Sequence, residues 1–184
     1  MACSAVTDGD SLTRYIEEIR TIWQDGKDPQ LPFKVKSLLE KLLVSTSPKE
    51  PWMAQLIEEA RPSKELYRDP DHGFIQMGHV HQRGNGNSPH DHGPCWVIYG
   101  SYRGLTEITT YRRKDKGNKT GKANLEKKEL HRLTPGTVYA YLPGEIHGTR
   151  AVEPPCVVFR FLSYDLHQVE RYRYNLEKGT VSRV

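Results

Sequence analysis

Gly84-Asn85-Gly86-Asn87-Ser88-Pro89-His90-Asp91-His92 is the stretch on which the fold turns. Glycine, asparagine and proline lead into two histidines spaced i and i+2. On a strand such residues face the same way, with Cα atoms roughly 6.5–7 Å apart. Two imidazoles so placed can converge on one metal ion inside a barrel. A third ligand must then come from another strand, and His147 in Leu142-Pro143-Gly144-Glu145-Ile146-His147 is the natural candidate, delivered by a Pro-Gly turn.

The chain around this stretch reads as β. From about Phe74 onward, short β-rich runs are separated by Gly, Pro and Asn, among them Trp96–Tyr99, Thr106–Tyr111, Thr137–Tyr141 and Val157–Phe161. Strands of this length and spacing predict a sandwich or barrel. Upstream, the texture is helical. Asp10 or Ser11 can cap a segment whose apolar residues Leu12, Tyr15, Ile16, Ile19, Ile22 and Trp23 recur at three and four. Gly26 ends it, and Pro29 and Pro32 mark a linker. Val35, Leu38, Leu39, Leu42 and Leu43 form a second stripe, and Trp52, Met53, Leu56 and Ile57 a third.

Composition bounds the class. The 184 residues suffice for one domain with a substantial core. Mean hydropathy is −0.71, and no run approaches the apolar length of a membrane span. The first residues lack the pattern of a secretory signal, and three cysteines without a CxxC make a disulfide framework unexpected, so a cytoplasmic location is expected. The net charge of +4 is concentrated in the run from Arg112 to Lys122, broken by Gly117, Asn118 and Gly121, which reads as an exposed hairpin tip. Nucleic-acid binding would want interleaved aromatics there, and Tyr111 alone is no stacking platform.

With these residues in view, the sequence resembles the cupin superfamily. Gly84, His90, His92 and Gly104 fall on the first cupin motif, with Val97 where that motif carries glutamate, and Gly136 through His147 resembles the second. The resemblance implies a mainly β fold, a cupin double-stranded β-helix (jelly-roll barrel) with an N-terminal layer of α-helices. It is expected to form one domain over 1–184, with 1–62 as the helical layer and 73–184 as the barrel.

Without the glutamate, three neutral imidazoles leave a divalent ion its full charge and several open positions, a setting suited to anionic substrates and O₂. Among cupins with an all-histidine set, the chain is similar to the thiol dioxygenases of the cysteine dioxygenase-like family, from about Tyr67 to Leu166. Phe74 lies sixteen residues before His90, the spacing found in that family. The resemblance implies Fe(2+) held by His90, His92 and His147. It also implies Arg68 as the clamp on a substrate carboxylate, and His79 and Thr149 as pocket-lining residues. The family's cross-linking cysteine falls on Val97, so no thioether is expected. Its Ser-x-His-x-Tyr strand has no histidine here; an ungapped count puts Arg160, Leu162 and Tyr164 on those positions, and a one-residue loop difference puts Phe159, Phe161 and Ser163 there.

Simpler readings stand beside these. His79-Val80-His81 is a second HxH without the glycine-rich lead-in. His72, His131 and His167 read as surface residues, Glu145 as a turn residue, and Cys95 and Cys156 as small buried hydrophobes. Arg160 is the only charge in Cys156–Leu162 and needs a partner or solvent, which favours the barrel lumen. The expected activity is an iron-dependent dioxygenase converting a small thiol-carboxylate to its sulfinate with O₂, with Arg160 and Tyr164 as catalytic candidates. The alternatives are a three-histidine dioxygenase cleaving a C–C bond of a dicarbonyl or hydroxyketone, and a non-enzymatic cupin binding a metal or small ligand. The expected partners are a small-molecule substrate and O₂, with no nucleic acid or membrane, in a monomer or homodimer.

Overall fold

A computed structural model describes residues 10–117 and 121–184. Three helices come first: α1 (Ser11–Trp23), α2 (Leu31–Ser45) and α3 (Pro51–Glu59). Asp10 caps α1 by accepting from the Thr13 backbone N–H at 2.7 Å, and Leu12, Tyr15, Ile16, Ile19 and Trp23 are buried as their spacing predicts, with Ile22 half-buried beside them. Pro32 is not a linker residue. It sits in the first turn of α2, where a backbone N–H would have no intrahelical partner to lose. No described helix is long and apolar enough to cross a membrane.

Among the described residues nine strands follow: β1 (Lys64–Arg68), β2 (Ile75–His81), β3 (Gly86–His90), β4 (Val97–Arg113), β5 (Leu125–Leu133), β6 (Val138–Tyr141), β7 (Ile146–Leu162), β8 (Tyr172–Asn175) and β9 (Thr180–Arg183). Two runs expected to be separate, Trp96–Tyr99 and Thr106–Tyr111, fall on the one long strand β4, which begins at Val97 and leaves Trp96 just outside. That strand bends where its register against β7 shifts, between Ser101 and Thr106. Gly104 makes the bend possible: its φ is +77°, and a Cβ there would lie 2.5 Å from the Glu153 carbonyl oxygen.

Both long strands serve two sheet faces. The C-terminal half of β7 pairs with β2 and with the start of β4, which also holds β6. The N-terminal half of β7 pairs with β3 and with the end of β4, which also holds β5. Adjacent pairs are antiparallel throughout, so the chain closes as a jelly-roll barrel with the helices packed on one outer face.

Alternation along β7 sorts its side chains. Val157, Phe159 and Phe161 join the helices in one core, with Phe74, Val80 and Ile98. Val158 and Leu162 turn inward to a second cluster with Ile75, Val97 and Tyr99. Arg160 shares their parity, opposite Met77 of β2 and Tyr99 of β4. The basic hairpin between β4 and β5 is largely self-paired, with Arg112 to Glu126 at 2.6 Å and Arg113 to Asp115 at 2.8 Å. Asn118 and Lys119 of that run, and Cys3, lie outside the described residues.

Candidate metal centre

His90 ends β3 and His147 is the second residue of β7, and the two are direct register partners. His92 lies just beyond the strand, in the loop that follows, where a continued strand was expected. Gly93, with φ of +58°, turns the chain immediately after it, and a Cβ there would lie 2.2 Å from the Glu170 carbonyl oxygen. The turn at Pro143-Gly144 delivers His147 as expected. Glu145 serves that turn: its carboxylate accepts the Leu142 N–H at 2.6 Å and stays exposed.

The three imidazoles converge. Ring centroids are 4.9 Å apart for His90 and His92 and 5.0 Å for each of the other two pairs. One potential ligand atom from each lies within 4.8 Å of the others, and all three residues are buried. His90 Nδ1 is 2.8 Å from the Ser88 carbonyl, which can only accept, so Nδ1 carries the proton and Nε2 is free to ligate. His92 Nε2 and His147 Nδ1 are buried without a partner. Burial, followed by the neighbouring histidines and Arg160, pushes the His92 and His147 pKa values well down, so both rings are neutral. Neutral, convergent nitrogens with unmet lone pairs suit a first-row divalent ion. Among the described residues no other trio of such ligands gathers.

A cavity of about 240 Å³ opens onto His90 and His92. Arg160 lines it, half-buried, with its Nε buried and without a hydrogen-bond partner. Arg68 lines it too, but its guanidinium is occupied. It holds Glu65 with two bonds, at 3.1 and 2.7 Å, and Asp165 with a third at 2.8 Å.

Other residues singled out from the sequence lie elsewhere. Tyr164 is 43% exposed and donates its hydroxyl to Gln168, because β7 ends at Leu162 and the chain leaves the barrel before reaching it. Thr149 is not part of the cavity lining; its hydroxyl accepts the Asn87 N–H at 3.1 Å and pins β3 to β7. His79 is buried beside the cavity rather than lining it. Its Nδ1 donates to the Pro62 carbonyl at 2.8 Å, and burial lowers its pKa to about 3. His81 packs against it at 5.4 Å.

Several site residues were missed. The Tyr99 hydroxyl lies 3.4 Å from His147 Nε2, and the Tyr141 ring packs on His147 at 4.4 Å. His131 is no free surface residue: it bridges the Tyr141 hydroxyl at 2.9 Å and Glu129 at 3.0 Å. His72 likewise stacks on Phe74, and His167 lines the cavity. The parity of Val97 and Tyr99 on one strand was the available signal for Tyr99.

No protein-family model and no curated protein matches the chain. Solved structures do. The DMSP lyase DddQ from Ruegeria pomeroyi DSS-3 aligns over 90% of this chain and 96% of its own, with a TM-score of 0.50 and 14% identity. KdgF from Halomonas sp. aligns over 58% and 83%, with a TM-score of 0.43 and 21% identity. The Cnp3 cupin domain of Schizosaccharomyces pombe aligns over 58% and 66%, with a TM-score of 0.43 and 10% identity. At these identities the likeness is one of fold, and the chain has a cupin fold with a three-histidine centre fit to hold a metal.

Proposed function

We propose that the chain is a mononuclear non-haem iron(II) dioxygenase of the cysteine dioxygenase-like cupin type, oxidising a small thiol-carboxylate to its sulfinate. The observation that carries this reading is one cavity joining an all-histidine cluster to Arg160, an inward-facing cation with no acidic partner among the described residues. His90, His92 and His147 would hold the iron. Bound iron(II) would supply positions for thiolate and O₂ and the redox chemistry between them. Both oxygen atoms end on sulfur, whose four-electron oxidation matches the reduction of O₂, so no co-substrate is needed.

The chain's own residues do the rest. Arg160 donates its paired guanidinium N–H groups to the substrate carboxylate and orients the molecule. The Tyr99 hydroxyl is placed to donate a hydrogen bond beside His147. Ile75, Met77 and Leu162 line the cavity with apolar surface and limit water. A second reading, cleavage of a dicarbonyl or hydroxyketone by the same centre, is favoured by the position of Tyr164 outside the site.

Oxygen uptake by iron-loaded protein separates them. Uptake with thiol-carboxylates and a sulfinate product supports the first reading, and uptake with β-dicarbonyls alone replaces it with the second. No uptake with either class leaves a metal- or ligand-binding cupin.

A further inference from the structure

The mouth of the cavity carries more positive charge than one carboxylate requires. Besides Arg160 it is lined by Arg171 and Arg173. Arg68 is occupied by Glu65 and Asp165, the two acids of the lining. Among the described residues no ion pair holds Arg160, Arg171 or Arg173; the Arg171 side chain donates from Nε to the Leu166 carbonyl at 3.2 Å. Four guanidiniums against two carboxylates leave the lining with a surplus of two positive charges before any metal is counted.

Strand pairing sets the backbone positions of Arg171 and Arg173. Arg173 is the register partner of His90, and Arg171 immediately precedes β8. The Tyr172 N–H and the Tyr174 hydroxyl, on either side of Arg173, both donate to Asp91, at 3.1 and 2.9 Å. The β8–β9 hairpin is therefore stapled to the residue between His90, at the end of β3, and His92, and its arginines line the cavity with those two histidines. Arg171 is half-buried and Arg173 exposed, which grades the site from the inner Arg160 to the rim.

We propose that the cavity selects a small molecule with two acidic groups, the inner one held by Arg160 beside the metal centre and the outer one by Arg171 and Arg173. This deepens the reading of the site as one that binds a small acid at a metal, by naming the class of acid. Guanidinium forks hold carboxylates by paired charge-assisted bonds, and a lone acid would leave the outer pair unmatched.

The test compares acids that differ by one carboxylate, using the metal-loaded full chain. Mercaptosuccinate is set against 3-mercaptopropionate, and thiol-free succinate against butyrate, with affinities measured by calorimetry. The diacid should bind about ten-fold more tightly in each pair. Raising the salt concentration should erode that preference, because the rim charges are open to screening. A variant carrying Arg171→Gln and Arg173→Gln, with unchanged metal content and thermal melting, should bind both members of a pair alike. Equal binding by the unaltered protein, no binding of either acid, or a salt-insensitive preference overturns the proposal, as does a preference retained by the double variant. The thiol-free pair keeps the two readings apart. If neither thiol drives O₂ uptake while succinate still outbinds butyrate, thiol oxidation falls and the two-acid cavity stands. If both thiols are oxidised with equal apparent affinity, the reverse holds.

Discussion

The carboxylate of Asp91, lodged between His90 and His92, receives the hydroxyl of Tyr174 from the far end of the chain at 2.9 Å. Its other oxygen accepts the backbone N–H of Gly93 at 3.0 Å and of Tyr172 at 3.1 Å. One buried side chain thus orients the ligand loop and anchors the last hairpin. Asp91→Ala should weaken metal affinity about ten-fold, through misplaced ligands rather than a lost one. Tyr174→Phe removes one bond and should cost about 1–2 kcal/mol. Metal titration with a competing chelator and urea unfolding read the two effects.

Purified protein should carry about one first-row metal ion per chain. His92→Ala should lose most of it, and His81→Ala should keep it. Elemental analysis decides, and the opposite pattern would move the centre to the His79–His81 pair.

Arg160→Lys or Arg160→Ala should weaken substrate binding by roughly 2–3 kcal/mol while metal content stays unchanged. Lysine offers a point charge where the arginine fork offers two parallel bonds. Equilibrium binding of a thiol-carboxylate, measured anaerobically, is the check.

Glu50 makes acid stability a second readout. Burial works to raise its pKa, but bonds from the Ser11 hydroxyl and N–H, the Ser47 N–H and the Trp52 indole outweigh it and hold the value down to about 2. A depressed carboxyl pKa stabilises the fold above its unfolded value, roughly 4.3, and that contribution is lost as pH falls toward the folded one. Glu50→Gln should be less stable than the parent at pH 7. The gap should close as pH falls from about 4.5 to about 2, as followed by thermal melts across that range.

The three-histidine cluster and the helical layer were legible because each rests on local spacing: an HxH, a Pro-Gly turn, and apolar stripes at three and four. Arg160 was legible for a related reason, since a lone charge in an apolar strand has few places to go. Tyr164 was misplaced because an ungapped count cannot show that β7 stops at Leu162. Strand β1 was not read, since Lys64–Arg68 has no apolar alternation and is held by pairing to β2 rather than by burial. Arg171, Arg173 and Asp91 were invisible for a deeper reason. Their meaning depends on β8 docking beside β3, a contact between positions about eighty residues apart that leaves no local pattern.

The direct pairing of His90 with His147 also bears on how the barrel assembles. Strand β3 is only five residues long, and its register against β7 already slips between Asn87 and His90. Sliding either strand by one residue would send one imidazole to the opposite side and break the trio. An ion that needs all three nitrogens would bind one alignment and ignore its neighbours, so mass action would draw misaligned chains toward the correct one. A bound ion would thereby proofread strand alignment, enforcing at the five-residue β3 a choice that backbone pairing alone leaves loosely made.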